Sequence, residues 1–150
     1  MRRGTAAAIW LGLTALDQGV KALTFGRTVP LIPHVIRVNY TSNTGFSLGL
    51  FANGNLAAIL AAAAVLAGVL IIYFRLPPAS PYRFPLLLMS AGAVSNLIDR
   101  IFLGYVRDML ELLFIHFYIF NPADVYVTFG ALLCAIRLIR PEQPAKKETT

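Results

Sequence analysis

The sequence predicts an all-α membrane protein: four transmembrane helices carrying a small extracytoplasmic subdomain of β-strand and loop. Three observations predict it. Only 13% of the 150 residues are charged and 57% are hydrophobic, whereas a soluble domain carries about 25% charged residues. The apolar residues gather into four runs, at about 5–25, 56–74, 84–103 and 122–139, each close to the roughly 20 residues that cross a bilayer core. The basic residues stand at the ends of those runs and form no single patch. The net charge of +6 therefore reads as a topology determinant and not as a nucleic-acid footprint.

The first run follows Arg2 and Arg3. A cleaved signal peptide has the same basic start and a short apolar core. Here the apolar character resumes beyond Asp17 over 20–25 and no small-residue cleavage site ends it, so a retained helix is predicted. Asp17 and Lys21 lie at i,i+4 on one helix face and can pair. That pair reads as a supporting ion pair that lowers the cost of insertion.

Residues 26–53 form a polar-aromatic connection with Pro30 and Pro33. Within it, 36–41 alternates apolar and polar, the pattern of a short half-buried strand. Asn43 and Gly45 read either as turn residues or as part of a surface loop that approaches a substrate.

The second run is rich in alanine and holds Gly68. Small residues let membrane helices approach closely, which predicts a packing role. Arg75, Pro77, Pro78, Pro81 and Arg83 make a hinge. In the third run the small cluster 90–93 predicts tight helix contact just ahead of Asn96, Asp99 and Arg100. The apolar stretch 110–120 reads as a packed strand or as a short amphipathic element along the membrane. Pro122 opens the fourth run, at a position where a missing N–H costs little. A polar tail, 141–150, is predicted to be disordered.

With four spans, Arg2, Arg3, Arg75, Arg83, Arg137, Arg140, Lys146 and Lys147 share one side, and only Arg27, Arg37 and Arg107 the other. This asymmetry predicts cytoplasmic termini. Asp108 and Asp124 then lie near the outer face.

The candidate chemistry rests on carboxylates. Serine catalysis needs a base beside the hydroxyl, but His34 and His116 both fall in loops and no Gly-x-Ser-x-Gly elbow occurs. The single cysteine, Cys134, sits inside an apolar run, which excludes an intrachain disulfide and reads as helix packing. No H-E-x-x-H pair suggests a zinc hydrolase. Asp17, Asp99, Asp108 and Asp124 each lie in or beside an apolar run, where ionisable groups are functional candidates by default. Asp108 and Asp124 sit at similar depth. Brought together, one carboxyl is protonated while the other is not, which supplies a general acid and a general base. Two solvated carboxylates at helix ends is the alternative reading. Asn121 and Pro122 have the order of an N-cap and a first helical residue, which puts Asp124 in the first turn.

Four blocks then stand out: Asp17-Gln18 with Lys21; Asn43-Thr44-Gly45; Asn96-Leu97-Ile98-Asp99-Arg100 followed by Gly104-Tyr105-Val106-Arg107-Asp108; and Phe120-Asn121-Pro122-Ala123-Asp124. In this order they resemble the lipoprotein signal peptidases, the type II signal peptidases of bacteria, over residues 5–140. The last two blocks carry most of the specificity. The resemblance implies a multi-pass aspartic endopeptidase of the bacterial inner membrane, which cuts a prolipoprotein just before its diacylglyceryl-modified cysteine. It implies Asp108 and Asp124 as the catalytic dyad. Asn43, Gly45, Asn96, Asp99, Arg100 and Asn121 would bind substrate or support the dyad, with Asp17 and Lys21 structural. The expected partners are lipidated prolipoproteins and membrane lipid, with no nucleic acid, no cofactor and no metal, and a monomer is expected.

The chain departs from the family pattern in places. Phe46 and Ser47 follow the Asn-x-Gly where small residues are usual, and Met109 replaces the usual Phe. Pro122 and Val125 flank Asp124 where other residues are common. These departures bear on loop shape and on substrate or inhibitor fit.

Two rival readings are open to the sequence. Gly104-x3-Asp108 matches the first half of a metal-dependent lipid phosphotransferase motif, but position 112 is leucine and that metal cage lacks a carboxylate. A small proton-coupled transporter would titrate Asp17 or Asp99, but such proteins place acids near the midplane and show repeats. No repeat is present here.

Overall fold

The computed structural model describes residues 2–44, 54–115 and 118–139. Gly45, Phe46, Ser47, His116 and the tail 141–150 lie outside them. In chain order the elements are α1 (Arg3–Leu23), β1 (Thr28–Ile32), β2 (Ile36–Asn43), α2 (Gly54–Arg75), α3 (Arg83–Leu103), β3 (Val106–Leu112) and α4 (Pro122–Ile139). The four helices start and stop within a few residues of the four apolar runs. Among the described residues α2, α3 and α4 are long and apolar enough to cross a membrane. The 21-residue α1 matches them in length.

The polarity of α1 is inside out for a water-soluble helix. Thr14, Asp17 and Lys21 are buried while Leu11, Leu16 and Leu23 are more than half exposed. An apolar exterior with polar groups turned inward is the arrangement a lipid surround demands, since buried charges are held only where they are paired.

α3 is the central helix and packs on α1, α2 and α4, whereas the backbones of α1 and α2 stay apart among the described residues. The contact between α3 and α4 is close because two glycines permit it. A Cβ on Gly92 would stand 2.3 Å from the Ala123 carbonyl oxygen, and one on Gly130 would stand 2.6 Å from that of Pro85. The small cluster in the third run thus marks a real close approach. Gly68 does not, because nothing lies within 4 Å of its Cβ position. α2 packs on α3, and its alanine-rich surface mostly faces outward.

The sheet has the order β1-β2-β3 and is antiparallel throughout. The predicted strand is β2, two residues longer than the alternation indicates. Its hairpin partner β1 goes unpredicted, because Pro30 interrupts it and all five of its residues are exposed. β3 begins at Val106 and so sets Asp108 in a strand, while only the first residues of the stretch 110–120 are strand. Gly104 makes this possible. At φ 84° it caps α3 and donates its N–H to the Arg100 carbonyl at 3.2 Å, so the chain reverses at once into β3. Phe120 then returns to the strand, its N–H to the Leu110 carbonyl at 3.0 Å. The start of α4 is thereby fixed beside β3.

Candidate active site

Three structural devices bring the polar residues together. The last turns of α3 present Asn96, Asp99 and Arg100. Register across the sheet sets Asp108 opposite Thr41, with Asn43 two residues further along β2. The bridge at Phe120 delivers Asn121 and Asp124 at the head of α4.

Beneath the site lies a buried charged layer. Lys21 Nζ is 2.8 Å from Asp17 Oδ2 and 3.2 Å from Asp99 Oδ2, and all three side chains are fully buried. Asp99 also takes a fork from Arg107, whose Nη2 lies 2.7 Å from Oδ1 and whose Nε lies 3.2 Å from Oδ2, with the Arg107 backbone N–H at 3.0 Å. Gln18 joins both, donating to Asp99 Oδ1 at 3.0 Å and accepting from Arg107 Nη2 at 2.6 Å. Two acids and two bases neutralise one another, and planar bidentate geometry suits the low-dielectric setting. The Asp99 carboxylate beside it holds the Arg107 guanidinium above its ordinary pKa.

This layer also builds the head of α4, whose first N–H groups have no partner within the helix. Asp17 Oδ1 accepts the Ala123 N–H at 2.8 Å, while its Oδ2 accepts the Ser95 hydroxyl at 2.6 Å. Asn121 Oδ1 accepts the Asp124 N–H at 3.0 Å, and Asp124 Oδ2 accepts the Asn121 N–H at 3.2 Å. The last two bonds form a reciprocal capping box with Asp in the role usually taken by Glu.

Asp108 and Asp124 are joined through amides. Asn121 Nδ2 donates to Asp108 Oδ1 at 2.7 Å, and Asn43 Nδ2 donates to Asp108 Oδ2 at 2.9 Å. Asn96 Nδ2 donates to Asp124 Oδ1 at 2.7 Å. The amide orientations follow from their neighbours. The Lys21 ammonium only donates, so its 2.9 Å contact turns the Asn96 oxygen inward and aims the NH₂ at Asp124. Asn121 Nδ2 reaches the same Asn96 oxygen at 3.1 Å. Burial pushes the Asp108 carboxyl up to about 6, with the nearby Asp124 charge adding to the rise, while the bonds from Asn43 and Asn121 oppose it. The Arg100 charge interacts favourably with those of Asp124, Asp108 and Asp99. Its Nε is buried with no hydrogen-bond partner among the described residues. Among those residues no group of three or more histidine, cysteine or acidic side chains is arranged to hold a metal ion.

A family model described as signal peptidase (SPase) II matches residues 9–140. The chain belongs to the signal peptidase II family. Among its relatives, the lipoprotein signal peptidase of Streptococcus thermophilus (strain CNRZ 1066) is 32% identical over 148 residues, covering 95% of this chain and 97% of that protein. That of Caldanaerobacter subterraneus subsp. tengcongensis is 35% identical over 112 residues, covering 73% and 75%. A solved bacterial membrane enzyme, determined by the in meso method at 1.9 Å resolution, superposes with a TM-score of 0.82 at 26% identity, covering 93% of this chain and 96% of that one. Signal peptidase II proteins are membrane proteins, and this chain is a peptidase of that family.

In this signal peptidase II chain, five of the predicted site residues form one network: Asn43, Asn96, Asp108, Asn121 and Asp124. Asp17 and Lys21 pair as their spacing predicts, one layer below. Asp99 belongs to that lower layer and bonds Arg107, not its neighbour Arg100. Gly45 lies outside the described residues. Sequence reasoning missed Ser95 and the role of Arg107. Ser95 carried a signal, since it stands four residues before Asp99 on the same helix face.

Proposed function

We propose that the protein removes signal peptides from prolipoproteins, and does so as an aspartic endopeptidase with Asp108 and Asp124 as its catalytic pair. The observation that carries this reading is the single amide of Asn121, which bonds Asp108 on β3 and the backbone of Asp124 on α4 at once. Two acids held this way in a buried site divide their protons unequally. Asp108, whose pKa burial has raised, keeps the proton and is the general acid. Asp124 accepts N–H groups at a helix head, where the dipole favours an anion, and is the general base. Asp124 takes a proton from water as its oxygen attacks the carbonyl carbon before the modified cysteine. Asp108 gives its proton to the leaving nitrogen, so the bond breaks to a new carboxyl end and a free amine.

In this reading α1 is the fourth span. Both termini are cytoplasmic, and the pair lies near the outer face, where a lipid-modified cysteine anchored in the bilayer presents its scissile bond. The family match along 9–140 leaves the transporter and phosphotransferase readings without support.

The test is to incubate the purified protein with a diacylglyceryl-modified precursor and with the same precursor unmodified, mapping products by mass spectrometry. The modified precursor is cut once, before the cysteine, and the unmodified one is not. Equal cleavage of both, or a cut elsewhere, overturns the substrate assignment.

A further inference from the structure

Toward the opposite end of α3 from Asp108 and Asp124, a cavity of about 800 Å³ opens between the start of α1, the end of α2 and the start of α3. Arg83, at its charged end, stands 17 residues before Arg100 on α3, roughly 25 Å along the helix, while its inner end at Ser90 comes within roughly 9 Å along the helix of Asn96, which bonds Asp124. It exists because α1 and α2 both pack on α3 and not on each other.

Its wall is apolar over Leu11, Leu70, Phe74 and Leu87, and two cations, Arg3 and Arg83, line it with no acidic side chain among the described residues. Trp10 is pinned inside by donating Nε1–H to the Ser90 hydroxyl at 3.1 Å. Arg83 is held in place but not saturated. It donates Nη1–H to the Leu76 carbonyl at 2.8 Å and lies 4.3 Å over the Tyr73 ring. Its Nε is buried with no hydrogen-bond partner among the described residues. At the far end of α4, Arg137 donates to the Pro81 carbonyl in the same hinge, adding a third cation nearby.

We propose that this cleft holds one anionic glycerophospholipid, with an acyl chain along the apolar wall and the phosphate between Arg3 and Arg83. Volume, apolar lining and a few convergent polar groups are what small-ligand sites have in common. Basic pockets between membrane helices bind anionic lipid headgroups, and guanidinium groups recognise phosphate through forked N–H donors. The other candidate occupant is the signal-peptide end of a substrate. Signal peptides begin with a positively charged segment, which the two arginines repel.

Trp10 is the single tryptophan of the chain and reports on the cleft directly. The full protein is reconstituted in phosphatidylcholine vesicles, with increasing fractions of chain-brominated phosphatidylglycerol or chain-brominated phosphatidylcholine, and Trp10 fluorescence is read. The anionic lipid half-quenches Trp10 at a lower mole fraction, by about fivefold for each arginine engaged. Arg3→Gln and Arg83→Gln together bring that ratio to one. Arg3→Gln alone lowers it part-way and Arg83→Lys keeps it, which separates lost charge from lost folding. Equal quenching by both lipids overturns the proposal, as does a preference that survives in the double variant. So does quenching relieved by an added lipidated signal peptide without regard to headgroup.

Discussion

Asn121 and Asp124 hold the first turn of α4 reciprocally, each accepting the other's backbone N–H, at 3.0 and 3.2 Å. The same Asn121 side chain donates to Asp108 at 2.7 Å. Removing it as Asn121→Ala therefore acts in two places. The lost cap lowers stability by about 1 kcal/mol. The lost donor leaves the ionised form of Asp108 less supported, so its pKa rises further. If Asp108 is the acid, the basic limb of the kcat/KM profile moves to higher pH. Melting curves and pH–rate profiles on one lipidated substrate check both, and an unmoved basic limb speaks against Asp108 as the proton donor.

Asp108 also leaves a mark on stability. Its folded pKa, about 6, lies above the unfolded carboxylate value near 3.9. The folded state then binds the proton more tightly, so the contribution is fully present below about pH 4. It is lost as pH rises through about 6. Relative to Asp108→Asn, the wild type should lose on the order of 2–3 kcal/mol across that window. Melting temperatures of both proteins from pH 4 to 7 measure the difference, and parallel curves would show that the shift is absent.

How much of this was legible in the sequence depends on range. The helices were, because a bilayer sets their length and demands unbroken apolar runs. The head of α4 was legible too, since Asn121, Pro122 and Asp124 follow local capping rules. The Asp99–Arg107 pair was not. A helix surface pairs residues three or four apart, and these two meet only because Gly104 turns the chain back at φ 84°. The bond from Ala123 N–H to Asp17, across 106 positions, depends on how α1 docks on α3 and α4. No local rule reaches that far.

The close approach at Gly92 makes a steric prediction with its own control. Gly92→Ala places a methyl 2.3 Å from the Ala123 carbonyl oxygen, so the first turn of α4 moves, and Asp124 with it. Overpacking of this kind costs about 1–3 kcal/mol, and cleavage should fall with it. Gly68→Ala, with open space at its Cβ, should leave both melting and cleavage near wild type.

Arg100 tests electrostatics inside the site. Its charge interacts favourably with those of Asp124 and Asp108, so in the proposed mechanism its removal disfavours the ionised base. Arg100→Gln should raise the acidic limb of the pH–rate profile, and Arg100→Lys should largely restore it. Lower melting with both limbs in place would assign Arg100 to architecture instead.

The proposed mechanism requires Asp108 and Asp124 jointly for peptide-bond hydrolysis. That requirement is tested most directly by single-site cleavage of a purified diacylglyceryl-modified precursor, comparing wild type with Asp108→Asn and Asp124→Asn in the same lipid, each confirmed to be folded by its melting transition. The wild type should cleave before the modified cysteine, and neither variant should give product. Turnover near the wild-type rate by either folded variant would contradict the requirement.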